Sequence, residues 1–153
     1  MAQPQLFDIA LNERDIVYTP DEVARDVVNF FKPTGRILEP CLGDGAFLKY
    51  LPTADWCEIE KGRDFFACHN HYDWIIGNPP YSIWLEWIKH SFELADNVVY
   101  LMPNNKAFNS LGVMQETKRY GGIKTIYVMG SGSDVGFDLG FAAGAVHFQR
   151  GYR

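Results

Sequence analysis

Asp73-Trp74-Ile75-Ile76-Gly77-Asn78-Pro79-Pro80-Tyr81 is the stretch on which the reading of this chain turns. Trp74 to Ile76 is apolar and rich in β-formers, which predicts a short buried strand. The residues after it emerge at the strand's carboxyl end, where ligands bind in open α/β sheets. Two consecutive prolines remove two backbone donors and fix φ, leaving a stiff rim of carbonyl oxygens. Asn78 adds a side-chain carbonyl and Tyr81 an aromatic ring. That set suits a planar group bearing an exocyclic amine, with oxygens accepting its N–H bonds and the ring stacked on its face. Asn-Pro is also a common turn opener, so the tetrapeptide by itself reads equally well as a strand-ending turn.

Upstream, Arg36-Ile37-Leu38-Glu39-Pro40 reads as a second strand ending in a carboxylate, followed by Cys41-Leu42-Gly43-Asp44-Gly45-Ala46-Phe47. Gly43 and Gly45 permit a tight turn and close backbone approach to a ligand. A short helix is expected over Ala46 to Leu51. The loop lacks the third glycine of the dinucleotide pattern. Acidic residues flank its glycines instead, which suits a cationic ligand better than a pyrophosphate.

Further out, Thr19-Pro20-Asp21-Glu22 has the form of a capping box with proline at the first helical position. Val23, Val27, Val28 and Phe31 follow at helical spacing, and Pro33 with Gly35 ends the helix. Residues 1–17 hold few periodic apolar positions and read as an arm. Ser82 to Ala95 predicts a helix with Trp84, Leu85, Ile88 and Phe92 on its apolar side, and Trp84 and Trp87 are expected to pack inside. A helix is predicted within 104–119. Ile123–Met129 and Ala142–Phe148 read as the last strands, joined by a glycine-rich loop at 130–140. Alternating strands and helices imply a mainly parallel, three-layer α/β sheet, and 18–153 reads as one catalytic domain.

Composition excludes several classes. At 153 residues the chain is able to bury roughly two-thirds of its unfolded surface. No apolar run approaches the roughly 20 residues of a membrane span, and no signal-peptide core opens the chain. Three cysteines, an odd number, suit a reducing compartment, so the cytoplasm is expected. The net charge is −5, against the basic footprint of a nucleic-acid binder. Residues 1–80 carry 7 Lys and Arg against 13 Asp and Glu, whereas residues 81–153 carry 7 against 6. The acidic half is the one bearing the glycine loop. Cys68-His69-Asn70-His71, with Cys57, invites a metal reading, but nothing pairs with it at zinc-ligand spacing and no metal is expected. Cys41 has no His/Asp partner pattern, which argues against a nucleophilic role.

Taken in order, these motifs resemble those of the S-adenosylmethionine-dependent amino-methyltransferases, above all the adenine-N6 DNA methyltransferases. The resemblance implies a minimal Rossmann-like class I methyltransferase fold with S-adenosylmethionine as cofactor. Tyr18-Thr19-Pro20 is similar to the segment that closes over the cofactor's methionine end, and Glu39, Pro40, Cys41, Gly43 and Gly45 to its glycine loop. Glu58-Ile59 resembles the strand end whose acid holds the ribose hydroxyls. Asp64-Phe65 resembles the pair that flanks the adenine. Asn78, Pro79, Pro80 and Tyr81 resemble the family's catalytic tetrapeptide, and Asn97 to Pro103 its next core strand.

Two departures stand out. Glu58 and Asp64 lie only six positions apart, too close for the dozen or more residues of a parallel crossover. Either the third strand is lost, or Lys61 to Ala67 runs as a loop beneath the cofactor. Enzymes with this motif order also carry a target-recognition domain after the core, whereas this sequence ends at Arg153. Sequence-specific action on DNA is therefore expected to need a separate recognition subunit or a homo-oligomer. Three readings follow: an adenine-N6 DNA methyltransferase, a protein-glutamine or guanine-N2 RNA methyltransferase, or a non-catalytic S-adenosylmethionine-binding subunit.

Overall fold

The computed structural model describes residues 19–131 and 142–153. The expected arm (1–17), Tyr18 and most of the 130–140 loop lie outside them. In chain order the elements are α1 (Asp21–Phe31), β1 (Ile37–Glu39), β2 (Asp55–Trp56), β3 (Tyr72–Gly77), α2 (Trp84–Leu94), β4 (Ala95–Pro103), α3 (Leu111–Tyr120), β5 (Gly121–Ser131) and β6 (Ala142–Arg150). Short 3₁₀ turns occupy Ile59–Lys61, Phe65–Ala67, Tyr81–Ile83 and Asn104–Ala107.

The strands form one sheet in the order β2-β1-β3-β4-β6-β5. β2, β1, β3 and β4 pair in parallel, while β6 runs against both β4 and β5. The sheet is thus mainly parallel. From β1 the chain passes to β2 on one side and then to β3 on the other. This reversal leaves a crevice at the carboxyl ends of β1 and β3.

Period-two alternation sorts the core into two sides. Ile75, Val98, Tyr100, Met102, Val146 and Phe148 pack with Trp84, Trp87, Ile88 and Phe92 of α2 and Val113 of α3. Ile37, Ile76, Val99 and Ala145 pack with Ala24, Val27 and Val28 of α1, and with Phe47 and Leu51. Three layers result. Both tryptophans of α2 are core residues with satisfied indoles: Trp87 Nε1 donates to the Tyr100 hydroxyl (3.0 Å) and Trp84 Nε1 to the Lys106 carbonyl (2.9 Å).

Three local expectations are revised. Ala46 to Leu51 makes turns rather than a helix, with Tyr50 N–H on the Phe47 carbonyl and Leu51 N–H on Leu48. Gly45 before it and Pro52 after it leave too few residues to offset helix nucleation. The capping box does not form. α1 starts at Asp21 with Pro20 as its N-cap, and no side chain caps it. The helix sought in 104–119 splits into a 3₁₀ turn and α3, because Ser110 Oγ accepts from Val113 N–H (3.3 Å) and caps α3 there. Between β2 and β3 the chain makes only two 3₁₀ turns, and β2 is the edge of the sheet. Among the described residues, the third strand of the family pattern is absent.

Candidate active site at the carboxyl ends of the strands

β1 delivers Glu39 to the crevice with its side chain turned inward, only 1% of the residue being exposed. Glu39 Oε1 accepts the Cys41 N–H at 2.9 Å. Burial pushes this carboxyl well above the usual range, the Cys41 N–H opposes that, and the Glu58 charge adds to it. Gly77 ends β3 directly beside it. A Cβ at position 77 would stand 2.5 Å from Glu39 Oε1, so the close approach of the two strand ends requires glycine.

The glycine loop is fastened by a second carboxylate. Gly43 and Gly45 adopt φ of +56° and +85°, in the left-handed region. Gly43 N–H donates to Glu58 Oε2 at 2.8 Å. Leu42 N–H reaches the Cys57 carbonyl, and Cys57 N–H reaches the Glu39 carbonyl, each at 2.9 Å. These bonds bring Glu39, Cys41, Gly43 and Glu58 together in one acidic cradle, and Pro40, Gly45 and Ile59 adjoin them in sequence. Asp64 Oδ1 accepts Phe66 N–H (3.0 Å) and caps the next 3₁₀ turn. Phe65 belongs to the core: it is 2% exposed, with its ring against Trp87 (4.4 Å) and His90 (4.8 Å).

The tetrapeptide leaves β3 on the other side of the cradle. Tyr81 opens a 3₁₀ turn and directs its hydroxyl back toward the loop, where it donates to Asn78 Oδ1 (2.8 Å) and approaches the Leu101 carbonyl on β4 (3.2 Å). Asn78 Nδ2 donates to Thr19 Oγ1 at 3.2 Å. Thr19 and Asn78, 59 residues apart, thus meet where α1 approaches the end of β3. Pro79 and Pro80 are buried in the rim between them.

Sequence reasoning missed one clamp. Asp21 Oδ1 meets Lys49 Nζ at 2.9 Å and Asp21 Oδ2 accepts the Tyr50 hydroxyl at 2.5 Å, which ties the start of α1 to the turn after the glycine loop. The Tyr50 bond, then Lys49, hold the Asp21 carboxyl below its ordinary value. Neither Lys49 nor Tyr50 carries a local signal, since the pairing spans 28 residues. Tyr18 lies outside the described residues. Among the described residues no group of three His, Cys, Asp or Glu side chains is placed to hold a metal ion. His90 Nε2 is engaged by the Phe65 and Cys68 carbonyls (3.0 and 2.9 Å), and His71 pairs with Asp96.

No family model matches the chain, and no curated protein matches it. Solved structures do. A protein of Listeria monocytogenes assigned as a class I S-adenosylmethionine-dependent methyltransferase superposes with a TM-score of 0.69 at 13% identity, over 92% of this chain and 62% of its own. The fold is that of the class I methyltransferases. The modification subunit assigned to a type I restriction enzyme of Vibrio vulnificus gives 0.65 at 14% identity, over 88% of this chain and 44% of its own. A protein of Pyrococcus horikoshii assigned as an RNA methyltransferase gives 0.56 at 10% identity, over 85% and 83%. The chain therefore spans under two-thirds of the first two neighbours. No helix among the described residues is long and apolar enough to cross a membrane.

Proposed function

We propose that the chain is an S-adenosylmethionine-dependent methyltransferase acting on an exocyclic amine, N6 of adenine in DNA. The observation that carries this is the Asn78 carboxamide, held between Thr19 and Tyr81 at the end of β3, beside an acidic glycine cradle. The cradle's chemistry fits the cofactor. Glu58 presents negative charge to a ligand that bears a sulfonium and an ammonium, the buried Glu39 carboxyl offers it a hydrogen-bonding partner, and the two left-handed glycines let backbone approach it closely. In this reading Glu58 takes the ribose hydroxyls, and Glu39 with the Pro40–Gly45 loop takes the methionine part. Asp64 and Ile59 flank the adenine. Phe65, being in the core, supports that wall from behind.

When bound, S-adenosylmethionine supplies an electrophilic methyl group. An adenine amine is a poor nucleophile because its lone pair is delocalised into the ring. Asn78 Oδ1 and the Pro79 carbonyl accept its two N–H bonds, which favours a tetrahedral nitrogen with a localised lone pair. That stabilisation grows toward the transition state, as catalysis requires. The rigid Pro79-Pro80 rim holds these acceptors without reorganisation, and positioning alone supplies several kcal/mol. No strong base is needed beforehand, because the methylated amine becomes acidic and loses its proton afterwards. The half-buried Tyr81 ring stacks on the base, which in a duplex must first be flipped out.

Similarity to a restriction-enzyme modification subunit supports a DNA substrate and a partner chain that reads sequence. Similarity to a protein assigned as an RNA methyltransferase supports an acceptor in RNA, which the second reading places at guanine N2. Tritiated methyl transfer from S-adenosylmethionine to separate DNA, RNA and protein pools, followed by nucleoside and amino-acid analysis, decides between them. We expect N6-methyladenine in DNA. Label confined to RNA guanine or protein glutamine would replace that reading, and calorimetry without S-adenosylmethionine binding would end it.

A further inference from the structure

We infer that Thr19 is a positioning residue for the Asn78 carboxamide. The inference rests on the reading above, in which Asn78 faces the acceptor amine. Its starting point is a local rule that this chain breaks. Thr19-Pro20-Asp21-Glu22 has the residue types of a capping box, in which the threonine hydroxyl would accept an N–H of the first helical turn. Here Pro20 is the N-cap, and its carbonyl accepts Val23 and Ala24 N–H at 3.1 Å each. The Thr19 hydroxyl is diverted to Asn78 Nδ2, 59 residues away. A side chain that forgoes a stabilising local bond for a distant one at a site is where function is expected to override local preference.

The geometry says what the diverted bond does. Thr19 is 9% exposed, so water competes little for its hydroxyl. Thr19 engages the amino side of the carboxamide, while the Tyr81 hydroxyl engages the oxygen side at 2.8 Å. The donor side of the carboxamide is thus turned toward Thr19 and its oxygen toward Tyr81, which fixes the plane of the amide from both ends. The Thr19 end of this clamp is itself anchored. Asp21, two residues on, is gripped by Lys49 and Tyr50 from the turn that follows the glycine loop. The cofactor cradle and the acceptor-facing amide are thereby joined through the start of α1.

Three variants of the full chain test this: Thr19→Val, which keeps the shape without the hydroxyl, Thr19→Ser, which keeps the hydroxyl, and Thr19→Ala as a guard against misfolding of the first. Melting curves accompany each. The first readout is the ¹⁵N side-chain amide resonance of Asn78, identified by its loss in Asn78→Asp. We expect it to move and its protons to exchange faster in Thr19→Val and Thr19→Ala, but not in Thr19→Ser. The second is methyl transfer to a single-stranded, adenine-containing oligodeoxynucleotide. A misplaced catalytic group costs up to about 10²-fold, so kcat should fall between about ten- and a hundred-fold in Thr19→Val, with KM for S-adenosylmethionine within about three-fold. Thr19→Ser should stay close to wild type. An Asn78 resonance indifferent to Thr19→Val overturns the inference. So does an equal loss in Thr19→Ser and Thr19→Val, or a loss confined to KM for the cofactor. A Thr19-dependent resonance in a wild type that methylates nothing would support the contact and overturn the acceptor reading instead.

Discussion

β1 and β2 run for three and two residues, whereas β5 and β6 run for eleven and nine. The hairpin half is held by a long antiparallel backbone ladder interrupted by two register shifts. The site half has little ladder to rely on. Acidic side chains do the fastening there: Glu39 Oε1 on Cys41 N–H, Glu58 Oε2 on Gly43 N–H, Asp64 Oδ1 on Phe66 N–H and Asp73 Oδ2 on Arg36 N–H. The excess of 13 acidic over 7 basic residues in positions 1–80 therefore serves the backbone of the loops. Loops held by side chains take up shapes that a ladder would not allow, at the cost of depending on a few named residues.

The sharpest way to break this contrast is one variant in each half. Phe148 of β6 is fully buried against Phe92 and Trp84, and Phe148→Ala should cost about 3–5 kcal/mol in urea denaturation. Activity per folded molecule should be retained. Asn78→Ala should do the reverse: transfer falls by about 10²-fold or more through loss of a preorganised acceptor, with cofactor affinity nearly unchanged. Near-normal turnover in Asn78→Ala would remove Asn78 from the chemistry.

The two halves also carry opposite pH signatures. Burial lowers His147 on β6 to about 4, with Lys124 adding to the effect. The neutral ring sits between Trp74 and Phe31, its Nε2 donating to Asn97 Oδ1 at 3.0 Å. A depressed histidine contributes stability that is present above its unfolded value near 6.5 and lost as pH falls toward 4, about 3 kcal/mol when complete. Glu39 has the other sign. Its folded carboxyl titrates above the unfolded value, so its contribution is complete below about pH 4 and is lost as pH rises through the raised value. Urea melts between pH 4 and 7 should show His147→Gln losing the acid-side decline and Glu39→Gln losing the decline on the rising side. A Glu39→Gln profile parallel to wild type would mean that this carboxyl is not held neutral.

What was legible in the sequence follows the same division. Asn78-Pro79-Pro80-Tyr81, Glu39, Gly43, Gly45 and Glu58 could be read because each is a residue type required at a strand end or turn, and Trp74 to Ile76 because its apolar run fixes a strand. Pairings between distant segments were not legible. Nothing local marks Thr19 for Asn78, Tyr81 for the Leu101 carbonyl, or Asp21 for Lys49 and Tyr50. Local rules also failed where a neighbour outweighed them. Gly45 and Pro52 cut short the helix expected at Ala46 to Leu51, and Ser110 set the start of α3 later than hydrophobic spacing alone implied.

A smaller effect sharpens the contrast between fastened loops and free backbone. Gly77→Ala would place a Cβ 2.5 Å from Glu39 Oε1 and 3.4 Å from Pro40 Cδ, where the carboxylate is too buried to swing into water. Overpacking of this kind costs about 1–3 kcal/mol, and we expect the strain to appear as roughly ten-fold weaker S-adenosylmethionine binding by calorimetry. Gly151→Ala, just beyond β6, has open space but φ of +71°, so it should lower stability by about 1–2 kcal/mol and leave affinity alone. Equal affinities for Gly77→Ala and wild type would show that the Glu39–Gly77 contact does not shape the cradle.

The smallest effect concerns the far end of the sheet. Gln115, Lys118, Arg119 and Arg153 line an open groove of about 420 Å³ where α3 meets β5. Gly122 is level with Asn97 across β6, whereas Gly77, just before Asn78, pairs with Tyr100, so the groove end and Asn78 lie about five residues apart along the strands, roughly 17 Å. Arg119 is paired with Glu116, and Arg153 donates to the Gly121 and Tyr152 carbonyls. Lys118 has no carboxylate partner among the described residues, which leaves its charge available to a phosphate. With a net charge of −5 the chain should bind duplex DNA at the weak end of the non-specific range, about 10⁻⁴–10⁻⁶ M, and single strands better because no base need be unstacked. If the backbone of a bound strand reaches this groove, Lys118→Glu should weaken binding a few-fold and reduce the slope of log affinity against log salt by about 1, whereas Asn78→Ala should leave that slope alone. Anisotropy titrations at several salt concentrations measure both. An unchanged slope in Lys118→Glu would exclude this groove from the proposed DNA contact, and a sharp sequence preference by this chain alone would mean that its own loops read bases without a partner.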